Sequence, residues 1–150
     1  QEDCIKIEDN LYFDILWPSE EQIQENALNN NAMVMKLRYK EFSMLFTGDI
    51  EQVAENKMLE FYGEKILKAD VLKVAHHGSK TSTTQEFFGQ VNPKICLIGV
   101  GKNNMFGHPS NEVIERLKGR KIYRTDENGE IILEINRNGG IKIKTILMKK

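Results

Sequence analysis

Short apolar runs that stop at glycine alternate with longer amphipathic stretches along this chain. Asn10 to Trp17 is aromatic and branched, is closed by Pro18, and predicts a strand. Ser19 to Leu28 is polar, with Ile23, Ala27 and Leu28 at weak helical spacing, and reads as one helix or as a loop; Asn29-Asn30-Asn31 is a turn signal. Ala32 to Tyr39 and Phe42 to Phe46 predict a β-hairpin turning at Lys40-Glu41. Ile50, Val53, Ala54, Met58, Phe61 and Tyr62 share one side of a helix over Ile50 to Tyr62, with Gly63 as its stop.

Val71 to Ala75 reads as the next strand. Ser82-Thr83-Thr84-Gln85 has the form of a capping box, ahead of a short helix ending near Gly89. Ile95 to Val100 predicts a strand, and Pro109 opens a helix whose stripe Val113, Ile114, Leu117 runs to Gly119. Lys121 to Arg124 is a short strand. Glu130 to Ile135 and Ile141 to Leu147, bracketed by Asn128-Gly129 and Asn138-Gly139-Gly140, predict an antiparallel pair. The expected class is therefore α/β: a mixed sheet with flanking helices, in one domain or one half of a domain.

Two of these strands stop at chemistry. Ser43 to Phe46 runs into Thr47-Gly48-Asp49, and Val71 to Ala75 runs into His76-His77-Gly78-Ser79. In open α/β sheets, ligands gather where strands end. A carboxylate and two imidazoles at such ends suit a divalent metal, zinc foremost and manganese or iron less selectively. The plainer alternatives are an Asx turn at Asp49 and a solvated histidine pair. The loop from Gly99 to Ser110 follows a third strand and holds His108, beside a helix start able to face an anion. There the alternative is that His108 and Ser110 only cap the helix.

Composition narrows this modestly. The 150 residues suffice for one domain with a core, and 40% hydrophobic with 29% charged residues is an ordinary globular balance. No apolar run approaches membrane-spanning length. Gln1-Glu2-Asp3 is not a signal peptide. With no initiating Met, the chain reads as a piece of something longer or a processed product. The net charge of −1 lacks the basic excess of electrostatic nucleic-acid binding. Lys65, Lys68, Lys73 and Lys80, with Lys142, Lys144, Lys149 and Lys150, read as a mixed solvated surface or a local basic face. Cys96 lies in an apolar run and Cys4 in the terminal segment, without zinc-thiolate or disulfide spacing.

L-F-T-G-D-I-E, then A-D-V-L-K-V-A-H-H-G-S-K-T-S, then V-N-P-K-I-C-L-I-G-V-G-K-N-N-M-F-G-H-P-S, then I-Y-R-T-D-E-N-G-E-I follow one another within the stretch from Asn29 to Ile135, about two thirds of the chain. Their order resembles the metallo-β-lactamase-like domain of ComEC-type competence DNA-uptake proteins and their free-standing relatives. That resemblance implies an αββα sandwich hydrolase with two metals, zinc or manganese, in its complete form. Asp49 matches the family's metal-bridging aspartate. One of His76 and His77 matches a ligand, with His77 favoured and His76 then beside it or facing substrate phosphate. His108 matches a residue on the substrate side, with Ser79, Asn104 and Ser110 beside it as substrate-binding positions. Asn29 and Asn31 match an N-x-N-S segment in which Ala32 replaces the usual Ser.

The family's first metal motif, His-x-His-x-Asp-His, is absent, and the chain's three histidines are all accounted for elsewhere. The chain therefore resembles the C-terminal half of the domain, with the N-terminal half as its partner. The implied activity is metal-dependent phosphodiester hydrolysis, as a nuclease acting on DNA in uptake. The alternatives are a free-standing hydrolase of a small phosphodiester or phosphocholine-like ester, an inactive half-domain, and a metal-free interaction module. An uncovered sheet face in such a half also implies self-association, and the family link implies a domain on the outer side of a membrane protein.

Overall fold

The computed structural model describes residues 3–147; Gln1, Glu2, Lys149 and Lys150, noted above, lie outside them. The chain enters through an antiparallel ribbon, β1 (Asp3–Glu8) and β2 (Leu11–Trp17). A short helix, α1 (Ala27–Asn30), precedes the hairpin of β3 (Val34–Tyr39) and β4 (Phe42–Phe46), whose turn residue Lys40 has φ 53°. Then follow α2 (Gln52–Phe61), α3 (Glu64–Leu67), β5 (Val71–Lys73), α4 (Gln85–Val91), β6 (Ile95–Ile98), α5 (Asn111–Arg116), β7 (Lys121–Arg124) and α6 (Thr125–Asn128). The last pair is β8 (Glu130–Ile135) and β9 (Ile141–Ile146).

Strands β1 to β7 form one seven-stranded sheet in sequence order. Neighbours are antiparallel from β1 to β4 and parallel from β4 to β7, so the α/β mixed sheet expected from the sequence is present. The helices cover one face. Leu45, Leu72, Cys96 and Ile98 there meet Ile50, Ala54, Met58, Leu67, Phe87, Val91, Val113 and Leu117 in the main core. On the other face Phe42, Val71, Ile95 and Leu97 pack beneath Ile131, Leu133, Ile141 and Ile143 of the β8–β9 hairpin. Among the described residues no helix is long and apolar enough to cross a membrane.

The hairpin covers only part of its face. The register places Phe13 opposite Leu37, Ile15 opposite Met35, and Met35 opposite Phe46, so these apolar residues continue that face toward β1. An open groove of about 420 Å³, lined by Leu11, Leu37, Tyr39, Phe42, Met44, Leu133 and Ile135 among others, separates β8 from this region.

Several local expectations need correction. The terminal segment with Cys4 is strand β1; its residues are all exposed, so no burial pattern marked it. Asn29–Asn31 is no simple turn, since α1 includes Asn29 and Asn30. The α4 cap is Thr84, which accepts from the Phe87 N–H at 3.3 Å, while Ser82 donates its hydroxyl to the Ile50 carbonyl at 2.8 Å. That helix runs through Gly89 to Val91. Pro109 does not open α5; Ser110 caps it, accepting from the Val113 N–H. The strand expected over Val71 to Ala75 stops at Lys73, and residues 75–78 form a tight turn.

Candidate metal centre

All the singled-out residues lie beyond the C-terminal ends of the parallel strands, the edge at which such sheets place their chemistry. After β4, the buried Thr47 donates its hydroxyl to the Lys73 carbonyl at 2.5 Å, tying the strand ends of β4 and β5 together. Gly48 then turns with φ +53°, and a Cβ there would lie 3.0 Å from that of Ala32. Its carbonyl accepts from the His76 N–H at 3.1 Å. Asp49 thus leaves the sheet directly beside the histidine turn.

That turn is strained. His76, His77 and Gly78 have φ values of 47°, 55° and 83°, three consecutive residues in the left-handed region. Non-glycine residues enter it at a cost that the surrounding structure has to hold. Gly78 permits the third position: a Cβ would lie 2.5 Å from that of Pro109. The Gly78 carbonyl accepts from the Ser110 N–H at 2.9 Å, which locks the turn to the loop carrying His108.

His77 has a defined orientation. Its Nδ1 lies 2.5 Å from the Gly99 carbonyl. A carbonyl only accepts, so Nδ1 donates to it and Nε2 is the nitrogen turned outward. That Nε2 sits 3.7 Å from Asp49 Oδ1, and both side chains are accessible, 49% and 42% exposed. The separation is too long for a hydrogen bond but close to the spacing of two donors on one tetrahedral ion, about 3.4 Å from usual zinc–ligand lengths. A backbone carbonyl fixing the far nitrogen is the common arrangement behind a ligating histidine.

His76 differs. Its Nδ1 is buried and makes no hydrogen bond, although Glu51 Oε1 lies 3.4 Å away; the alignment, not the distance, leaves it unsatisfied. Glu51 is itself pinned: Thr81 Oγ1 donates to Oε1 at 2.9 Å and Asn26 Nδ2 to Oε2 at 2.8 Å. The His76 ring lies 5.7 Å from that of His108, which in turn stacks on Phe106 at 5.9 Å. Burial, then the neighbouring His76 and His77, hold the His108 imidazole below its ordinary pKa.

The remaining expected residues act on the backbone. Asn104 donates to the His108 carbonyl at 2.7 Å and accepts from the His108 N–H at 2.9 Å, clamping the loop. The Ser79 hydroxyl pairs with Thr81 at 2.9 Å, and the Ser110 hydroxyl caps α5. Ahead of the hairpin, Asn31 spans Ile23 with two hydrogen bonds, while Asn30 accepts from the Glu51 N–H at 3.0 Å.

Two residues at this edge were not expected in the site: Glu51, and Lys73, which the sequence placed on a solvated surface or basic face. Glu51 follows Asp49 by two positions, a spacing that marks it only once His76 is known to approach. Lys73 ends β5; its ammonium is drawn in far enough that burial lowers its pKa, against an upward pull from Asp49. Both owe their place to contacts far apart in the chain.

Asp49 and His77 fit a zinc- or manganese-type ion chemically, an imidazole nitrogen with a carboxylate oxygen. Among the described residues, however, no group of three or more His, Cys, Asp or Glu is assembled to hold a metal. A catalytic zinc takes three protein ligands, and these two residues are fewer than that.

No family model matches the chain. It is 39% identical over 131 residues to ComE operon protein 3 of Bacillus subtilis, which covers 86% of this chain. The chain resembles a segment of bacterial competence proteins. It is also 31% identical over 144 residues, 95% of its length, to competence protein ComA of Neisseria gonorrhoeae. A further relative, recombination protein 2 of Haemophilus influenzae, is 35% identical over 123 residues, 81% of this chain. The matched regions span only 16%, 20% and 15% of those three proteins.

Proposed function

We propose that this chain is the C-terminal half of a metallo-β-lactamase-like αββα domain, supplying Asp49 and His77 to a metal centre that hydrolyses phosphodiesters, with DNA as substrate during uptake. The observation that carries this is the His77 pose: Nδ1 on the Gly99 carbonyl at 2.5 Å and Nε2 turned to Asp49 at 3.7 Å. The relatives' competence names support the DNA link. When bound, paired divalent ions lower the pKa of a water and neutralise charge on phosphate oxygens.

The chain's own residues do the positioning. Asp49 would offer its carboxylate to the ions. His77 offers one lone pair, held by Gly99. His108, less basic than an isolated histidine, and His76 would face a bound phosphate as hydrogen-bonding partners. The remaining ligands come from the N-terminal half, whose sheet covers Phe13, Ile15, Met35 and Phe46. The near-neutral charge of −1 favours a second substrate reading, a small phosphodiester.

The chain alone then binds metal weakly. Long-range ¹H–¹⁵N spectra of its imidazoles, titrated with zinc, show His77 as the Nδ1–H form and move its Nε2 first, at micromolar or weaker affinity. Zinc that leaves His77 unmoved contradicts its role; nanomolar binding at a monomeric site contradicts the half-site. The uncovered face also predicts self-association. Sedimentation shows dimers or larger species at high protein concentration, and a strict monomer would argue for a self-sufficient small domain.

A further inference from the structure

The loop between β6 and α5 carries two side chains that nothing above employs. Met105 is 89% exposed and Phe106 is 75% exposed. A ring so displayed on a loose loop would mean little, but this loop is pinned. Asn104 holds the His108 backbone at both N–H and carbonyl and reaches the Gly101 carbonyl at 3.2 Å. Thr125 Oγ1 bridges the Val100 N–H at 2.7 Å and carbonyl at 2.8 Å, and Ser110 is tied to Gly78. Phe106 lies 19° from parallel with the His108 ring. His108 backs one side of Phe106, and the ring's high exposure leaves area free for a ligand.

We propose that Phe106 is a stacking platform for an unpaired nucleobase next to the phosphodiester held at His76 and His108. This rests on the phosphodiester reading above and narrows its substrate to single-stranded nucleic acid. A base inside a duplex has no free face to offer, whereas an unstacked base gains from an aromatic ring whatever its identity. The net charge of −1 gives the chain little electrostatic hold on a polyanion, which leaves base stacking to supply affinity. Lys102, exposed in the same loop, adds a backbone contact.

The test is binding of a single-stranded oligodeoxynucleotide containing 2-aminopurine, in chelator so that hydrolysis plays no part. The full chain quenches the 2-aminopurine fluorescence on binding. Phe106→Ala weakens binding about 5- to 100-fold and abolishes the quench, while Phe106→Trp keeps both. Phe61→Ala, at the end of α2 and 62% exposed, is the control and changes neither. Phe106→Ala with wild-type affinity and quenching overturns the proposal. So does a wild-type chain that binds no oligonucleotide, or a Phe106→Ala variant that alters only the sedimentation coefficient, which would assign the ring to a protein contact. Because metal is absent, Phe106-dependent quenching survives even if hydrolysis at Asp49 and His77 is disproved, so the two readings fail separately.

Discussion

Asp49→Ala abolishes metal-dependent phosphodiester hydrolysis in a longer protein that joins this chain to the N-terminal half proposed above, lowering kcat/KM by about 1,000-fold or more. The magnitude follows from removing a carboxylate that, in the proposed function, would hold both ions, whose charge stabilisation is worth several kcal/mol. The fold survives, because the Asp49 side chain is 42% exposed and the turn beside it is held by the backbone bond from His76 to Gly48. Metal content falls with activity. His77→Ala follows the same pattern less completely. His108→Ala lowers turnover and spares metal content, since its nearest imidazole is that of His76. His76→Ala separates the two histidines: retained metal places His77 alone in the ligand shell.

Glu55→Ala lowers the stability of the isolated chain by about 2–5 kcal/mol, the cost of two N–H groups losing their acceptor together with the cavity left behind. Glu55 is completely buried on α2. Its carboxylate accepts from the Thr83 N–H and, at 2.7 Å, from the Thr84 N–H. Burial pushes its carboxyl above the usual range, while those N–H groups and Arg116 pull it back. From α5, Arg116 Nη1 grips the Ser82 and Thr83 carbonyls at 3.1 and 2.5 Å. The loop after the histidine turn is thus clamped from two helices, and Thr83 Oγ1 passes the restraint to the Ala75 N–H at 3.3 Å. Urea unfolding checks this through a lower midpoint at unchanged slope. A loss below about 0.5 kcal/mol, the level of an ordinary surface substitution, would show that the loop is held elsewhere.

The sheet was legible wherever burial imposed a pattern. β4, β5 and β6 are short apolar runs ending at Gly or His, and a strand buried on both faces must look like that. The same logic put Asp49 and the His76-His77 turn on one edge, where they meet. β1 escaped because it is held by pairing with β2 rather than by burial. Ser82 was misleading because its cap pattern is local, while the Ile50 carbonyl that takes its hydroxyl lies 32 residues away. Pro109 was misread for a related reason: it packs against Gly78, and Ser110 is left to cap the helix. Glu51 and Lys73 were illegible as site residues, since Glu51 draws its partners from Asn26 and Thr81, 25 and 30 residues distant. Asn104 could be placed in the loop from sequence, but only the folded loop shows its amide committed to the His108 backbone.

The most direct measurement is phosphodiester hydrolysis by the joined protein after its metal is stripped and then restored. A labelled single-stranded oligonucleotide is incubated with the metal-free protein, then with zinc or manganese added back, alongside Asp49→Ala and His77→Ala. The account predicts no cleavage without metal, recovery on addition of one of these ions, and no recovery in Asp49→Ala. Cleavage that persists in the stripped protein, or that returns fully in Asp49→Ala with wild-type metal content, would contradict it.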